Sequence, residues 1–294
     1  MIIKEKGVKL MIEQETLEKV RSKIFEKTPL VLQTGFKDLD IVLSGTENSS
    51  LITIGSRPAM GKSSFMTTLM LNLLEQNKKC LLFSLRMSEE QILKRLIVQI
   101  GEVDALLLKE PAELVKSSKS TEKINVALDK LLKYDLTIVD NVLNINEIKE
   151  TIEQNNPEFV FIDFLQLIDI PPKKPRSESF EKVMKDLKKI AKDNNCIIFV
   201  TSQLSRALES RCDKRPFLSD LRESGAIENI SDIVMFIYRD EYYTSIEKED
   251  YAYNKGRAEV IVAKNKYGTT ATVSLLFRSS IMKFLEPINN DYTF

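Results

Sequence analysis

Lys62 follows a glycine and precedes two hydroxyls, and the residues before it read Ile54-Gly55-Ser56-Arg57-Pro58-Ala59-Met60-Gly61. An apolar run, a tight turn and then a lysine and serine opening a helix-compatible stretch form the layout of a phosphate-binding loop. Backbone N–H groups at the helix N-terminus cradle phosphates there, and the helix dipole favours their charge. On this reading Ser56, Arg57, Pro58, Ala59, Met60, Gly61, Lys62, Ser63 and Ser64 hold a nucleoside triphosphate. Lys62 reaches the β- and γ-phosphates and Ser63 ligates Mg²⁺. The pattern departs in one place: Ser56 falls where the motif has its first glycine, and Gly55 comes one residue early. The second chemical element is Phe159-Val160-Phe161-Ile162-Asp163. A carboxylate ending an apolar strand sits at the sheet edge where ligands bind in open α/β folds, so Asp163 can share the Mg²⁺ with Ser63.

For these groups to meet, the strands carrying them must lie side by side. Apolar runs at 51–55, 80–85, 136–139, 158–163 and 196–201 read as strands, with helical patterns between most of them. They are nearly continuous in apolar character, as expected when helices cover both faces of a parallel sheet. After the run at 232–238 comes a polar, tyrosine-rich stretch at 240–257, expected as a loop or irregular helix. Strands at 258–264 and 270–277 then flank Lys266-Tyr267-Gly268-Thr269, a hairpin signal, and a short strand at 281–285 completes an antiparallel edge. The fold class is therefore α/β, with a mainly parallel central sheet. Ile12, Leu17, Val20 and Ile24 recur at helical spacing and predict an amphipathic helix over 12–27, ended by Thr28-Pro29. This divides the chain into a helical N-terminal segment, 1–30, and one domain, 31–294.

Composition narrows the chemistry further. The 294 residues contain no histidine, which excludes Ser-His-Asp, Cys-His and every other mechanism needing an imidazole base. The three cysteines (Cys80, Cys196, Cys212) lack zinc-ligand spacing, and Cys80 and Cys196 begin apolar runs, so they read as small core residues in a reducing compartment. Forty-three basic residues balance 43 acidic ones, so nucleic-acid binding must come from local patches. Neither a spanning helix nor signal-peptide anatomy is seen, and the expectation is a cytoplasmic protein with no membrane partner.

The longer text around these motifs resembles the C-terminal motor domain of DnaB-type replicative helicases. Ser56 to Ser63 is similar to that family's nucleotide loop, Thr34 to Asp40 to the segment before its first core strand, and Ile162 to Leu167 to its Walker B region. The most specific agreement runs from Ser202 to Arg211 and from Asp213 to Gly225, and the resemblance spans residues 28–287. It implies a RecA-like P-loop fold, ATP and Mg²⁺ as cofactors, and ATP-dependent DNA unwinding during replication. It also implies a ring, a hexamer, that translocates on single-stranded DNA and meets other replication proteins. The 12–27 helix matches the family's linker helix, and the N-terminal domain that engages primase in the family has no counterpart in these residues.

By the same resemblance Gln203 is a switch glutamine that senses the γ-phosphate; its amide can bond a phosphate oxygen in one state and release it in another. Arg222, Glu223 and Gly225 fall in the loop that lines the pore and tracks the DNA backbone. Pro171-Pro172-Lys173-Lys174-Pro175-Arg176, after the Asp163 strand, supplies Lys173, Lys174 and Arg176 as a second DNA contact. Two positions depart from the family. Its strand after the nucleotide-loop helix ends Phe-Ser-Leu-Glu-Met, the glutamate polarising the lytic water; here Arg86 follows Leu85, and arginine accepts no proton. Glu89 and Glu90 lie a turn further on. The family's Lys-x-Arg finger, which reaches the neighbouring subunit's site, reads Lys264-Asn265-Lys266, keeping the charge of Lys266 without a bidentate fork. The expected catalytic set is therefore Lys62, Asp163, Gln203, Lys264 and Lys266, with Arg86 in the glutamate's place. Of three functions the expected one is a DnaB-like helicase motor; the alternative is a degenerate member that binds ATP and DNA or a partner helicase with little hydrolysis, acting as an assembly or regulatory protein, and the last is another RecA-like ATPase. The 202–225 stretch speaks against the third.

Overall fold

The computed structural model describes residue 18 and residues 32–110, 117–141, 144–169, 176–221, 224–243 and 254–287. The 12–27 helix, save Glu18, and most of the 240–257 stretch lie outside them. Among the described residues nine strands form one sheet: β1 (Leu51–Ser56), β2 (Cys80–Ser84), β3 (Leu136–Val139), β4 (Phe159–Asp163), β5 (Ile197–Gln203), β6 (Ile233–Tyr238), β7 (Arg257–Asn265), β8 (Ala271–Arg278) and β9 (Lys283–Leu285). Their order is β3-β2-β4-β5-β1-β6-β7-β8-β9. The first six run parallel and the last three pair antiparallel. The expected strand at 281–285 is shorter, because Ser279–Ile281 form a single 3-10 turn before β9.

Alternation along the central strands divides the core in two. Ile52, Ile54, Leu82, Phe159, Phe161, Ile197 and Phe199 face one layer, while Leu51, Leu81, Phe83, Val160, Ile162, Ile198 and Val200 face the other. Side chains two apart share a face, so strands buried on both sides must be apolar at nearly every position. The first layer is filled by α1 (Lys37–Val42), α2 (Lys62–Glu75) and α3 (Glu89–Gly101). The second is filled by α5 (Ile145–Asn155) and α6 (Arg176–Asp193), while α4 (Ser118–Leu131) packs on α3 and α7 (Ser224–Ile230) precedes β6. Helix α2 is buried from Ser64 to Leu71 on every side, which fixes the helix that opens with Lys62. Cys80 and Cys196 are buried as expected, and Cys212 is exposed. Among the described residues no helix is long and apolar enough to cross a membrane.

Candidate functional site

The parallel strands deliver their C-terminal ends to one edge of the sheet, and the expected phosphate-binding loop lies there. Strand β1 ends at Ser56, the chain turns through Arg57–Gly61, and α2 begins at Lys62. Gly61 is the helix N-cap at φ +92°, a left-handed conformation that suits glycine, and a Cβ there would come within 3.2 Å of Phe284. No capping side chain covers the first turn of α2. The early glycine has a packing cause. A Cβ on Gly55 would stand 2.8 Å from the Phe236 ring on neighbouring β6, so Gly55 serves the sheet while Ser56 starts the loop.

The loop borders a cleft of about 320 Å³. Of the expected nucleotide-binding residues, all but Met60 line it; the Met60 side chain belongs to the core instead. Arg57 lines the cleft, but its guanidinium is committed elsewhere. It donates to Glu209 Oε1 through Nε (2.9 Å) and Nη2 (2.7 Å) and to the Leu204 carbonyl (3.1 Å), tying the loop to the segment after β5.

Asp163 arrives at the end of β4. Its Oδ2 accepts from Ser63 Oγ at 2.6 Å and its Oδ1 from Thr201 Oγ1 at 2.5 Å. A hydroxyl and a carboxylate thus converge as two hard oxygen donors, a set that suits Mg²⁺ when phosphate and water supply the other ligands. No cluster of three or more metal-ligating His, Cys, Asp or Glu side chains exists among the described residues. Lys62 Nζ donates to the Ser202 carbonyl at 2.8 Å and lies 5.6 Å from the centre of the Phe164 ring. Burial pushes its pKa down to about 8, with Asp163 opposing and Arg86 adding to the fall. Gln203, the last residue of β5, also lines the cleft.

Arg86 does line the cleft, although not as a strand end: β2 stops at Ser84, and Arg86 sits exposed in the bend before α3. Neither Glu89 nor Glu90 lines it, and Glu90 pairs with Lys94. Among the described residues Asp163 is the one carboxylate in the lining, against Arg57, Lys62, Arg86, Arg95 and Arg239. Arg95 escaped the sequence reading. It projects from α3 with a buried Nε that has no partner, its Nη1 3.4 Å from Ser64 Oγ, and burial lowers its pKa. Also missed were Phe164, Arg239 and Phe277. The Arg239 guanidinium lies 4.2 Å from the centre of the Phe277 ring and Nη1 donates to the Ala59 carbonyl at 3.2 Å, which makes a cation–aromatic shelf beside the loop.

Lys264 and Lys266 do not reach this cleft. Asn265 pairs with Ile233 at the start of β6, which puts both lysines at the opposite edge of the sheet. Lys264 Nζ donates to the Glu228 carbonyl at 2.5 Å, and Lys266 Nζ stands 3.4 Å from Asp232 Oδ1. Lys173, Lys174, Arg222 and Glu223 lie outside the described residues, as does the side chain of Arg176. Gly225 is the second residue of α7, with nothing within 4 Å of a would-be Cβ.

The family model of the DnaB-like helicase C terminal domain matches residues 31–286. A probable replicative DNA helicase of Trieres chinensis is 36% identical over 269 residues, covering 88% of this chain and 58% of that protein. The replicative helicase DnaB of Geobacillus stearothermophilus is 33% identical over 262 residues, 86% of this chain and 56% of that protein. This chain therefore spans somewhat over half the length of these curated relatives. Among solved structures, an isolated ATPase domain superposes with a TM-score of 0.86 at 33% identity, covering 93% of this chain and 98% of that one. A DnaB-like replicative helicase, described with its interactions with primase, gives 0.83 at 32% identity over 95% of this chain and 67% of that one. With a family match that takes in the loop, the Asp163 strand end and all nine strands, the chain belongs to the family of DnaB-like helicase C-terminal domains.

Proposed function

We propose that this chain is an ATP-driven motor that binds Mg²⁺·ATP in the cleft, assembles as a hexameric ring and translocates on single-stranded DNA to separate strands during replication. The observation that carries the reading is the convergence of Lys62, Ser63, Asp163 and Gln203 at one cleft from α2, β4 and β5. Lys62 would hold the β- and γ-phosphates; Ser63 and Asp163 would hold Mg²⁺, whose charge neutralises the phosphate oxygens. Gln203 would bond the γ-phosphate, and the shelf of Arg239 and Phe277 would take the base by stacking. Placement of Lys264 and Lys266 at the far edge supports a ring, because a finger unable to reach its own cleft is useful only to a neighbour's. The 12–27 helix would lie against that neighbour through its apolar stripe.

One observation favours a second reading, a family member that holds ATP and DNA but hydrolyses slowly. Arg86 occupies the position of the family's glutamate, and no glutamate among the described residues lines the cleft. The test is displacement of an annealed strand by protein shown by light scattering to be a ring with ATP and Mg²⁺ present. Unwinding at stoichiometric protein supports the motor. Protein that holds ATP and DNA without unwinding supports the second reading, and a monomer overturns the motor.

A further inference from the structure

The shelf of Arg239 and Phe277 is held together by a carboxylate that lies outside the cleft lining. Arg239 follows the end of β6 and Phe277 comes near the end of β8, with β7 between the two strands. Glu241 sits in the single turn Asp240–Tyr242 just past Arg239. One oxygen, Oε1, accepts from Arg239 Nε at 3.0 Å and also from Nη2. The other, Oε2, accepts from the Gly256 N–H at 2.7 Å. The Gly256 carbonyl in turn accepts from the Phe277 N–H at 2.6 Å. The Phe277 ring lies 4.2 Å from the Arg239 guanidinium, which closes the circuit. Gly256 takes φ +75°, and a Cβ there would stand 3.3 Å from the Phe277 carbonyl, so the close approach suits glycine. Glu241 thus ties the end of β6 to the chain entering β7 and, through it, to Phe277.

The same carboxylate sorts the cations of the cleft. Arg57 is paired with Glu209 and Arg239 with Glu241, both partners lying outside the lining. The Arg239 and Glu241 side chains are each only 12% exposed, so the two charges cancel in place with little help from water. Lys62, Arg86 and Arg95 form no ion pair among the described residues. These three gather around the end of β4, where Asp163 and Arg86 act on both Lys62 and Arg95. Arg239 meets the loop elsewhere, at the Ala59 carbonyl, and the Phe277 ring would stand 3.5 Å from a Cβ on Gly61. One end of the cleft therefore offers unpaired cations, and the other a flat guanidinium whose charge is already balanced.

We infer that Glu241 is a positioning residue for the nucleotide: it keeps Arg239 flat against Phe277 and cancels its charge, so that this end of the cleft takes an uncharged aromatic base. The phosphates are left to Lys62, Arg86 and Arg95. Without the carboxylate, Arg239 is an unpaired cation beside the loop that competes for phosphate and is free to turn off the ring. The inference rests on the ATP-binding reading above and names how that site tells one end of its ligand from the other.

The experiment displaces a ribose-labelled fluorescent nucleotide from the full chain, with Mg²⁺ present, using either ATP or inorganic tripolyphosphate, which has no base. The wild type should prefer ATP by roughly tenfold or more, as one base–aromatic stack supplies. Glu241→Gln keeps the size of the side chain but lacks the charge and the second acceptor. It should lose roughly fivefold or more in ATP affinity, the worth of a partly desolvated cation–aromatic contact, while binding tripolyphosphate as well as the wild type or better. Arg239→Lys keeps the charge without the plane and should show the same selective loss, which carries the test if Glu241→Gln does not fold. The double variant should lose little more than either single one, as expected of two residues acting through one contact. An unchanged ATP affinity in Glu241→Gln would overturn the inference. So would ATP and tripolyphosphate weakened by the same factor, the mark of a merely loosened loop. Both results leave the nucleotide cleft standing. A wild type that binds tripolyphosphate as tightly as ATP also overturns it, because no base is then held. A wild type that binds neither removes the nucleotide reading, and the inference with it.

Discussion

Lys62 is a half-buried cation whose charge is only weakly secured. Its pKa of about 8 reflects desolvation first, opposed by Asp163 and reinforced by Arg86. Bound phosphate favours the protonated form, so nucleotide binding above that pKa must take up a proton. Affinity for ATP should be flat below neutrality and fall roughly tenfold between pH 7 and pH 9, the change expected when one group of pKa near 8 must be protonated. A fluorescent-nucleotide titration across that range checks it; a flat profile would mean that Lys62 stays charged throughout. Arg86 presents the complementary case. Its guanidinium beside Lys62 and Arg95 would attract a γ-phosphate but could neither orient nor deprotonate water. Arg86→Glu should therefore raise ATP turnover at least tenfold, about 1.4 kcal/mol of barrier. An unchanged or lower rate would show that the lytic water is activated elsewhere.

Strand ends and helix starts decide which side chains meet, and most of them were legible before any coordinates. Continuous apolar runs gave the five expected parallel strands within two residues at each end, and Gly61-Lys62-Ser63 located the loop. What could not be read was long-range. Phe277 on β8 reaches the cleft only because the antiparallel edge folds beneath the loop, where Phe284 contacts the Gly61 position. Arg95 belongs to no motif in the sequence, and Met60 stands in the expected nucleotide loop, yet one lines the cleft and the other fills the core. Asp232 was hidden in the same way. It is buried at the head of β6, where it accepts from the Leu51 N–H at 2.9 Å and from Lys188 at 2.5 Å. Its carboxylate thereby fixes the start of β1 and anchors α6, with Lys266 beside it. Asp232→Ala orphans the fully buried N–H at the start of the strand that leads to the loop and should cost about 3 kcal/mol of stability. Urea unfolding checks this, and a loss below about 1 kcal/mol would reduce Asp232 to a surface partner of its lysines.

At the scale of the molecule, the equal numbers of acidic and basic residues leave no global field to attract DNA. Binding must rest on a few phosphate contacts, so it should tolerate any sequence and weaken with salt. If Lys173, Lys174 and Arg176 each meet a phosphate, replacing all three with alanine should reduce the slope of log affinity against log salt by about two, at roughly 0.7 per contact on a single strand. An unchanged slope would leave those cations as a solvated loop and move the DNA contact to the 222–225 segment. The central claim, that nucleotide chemistry in this cleft drives work on single-stranded DNA, is tested most directly by steady-state ATP turnover of the wild type and Lys62→Ala, each with and without an oligo-dT strand. Wild-type turnover should rise with DNA and should disappear in Lys62→Ala alongside a roughly hundredfold loss of nucleotide affinity, the upper end of what one charge-assisted contact supplies. Turnover indifferent to DNA, or unaltered by the loss of Lys62, would contradict it.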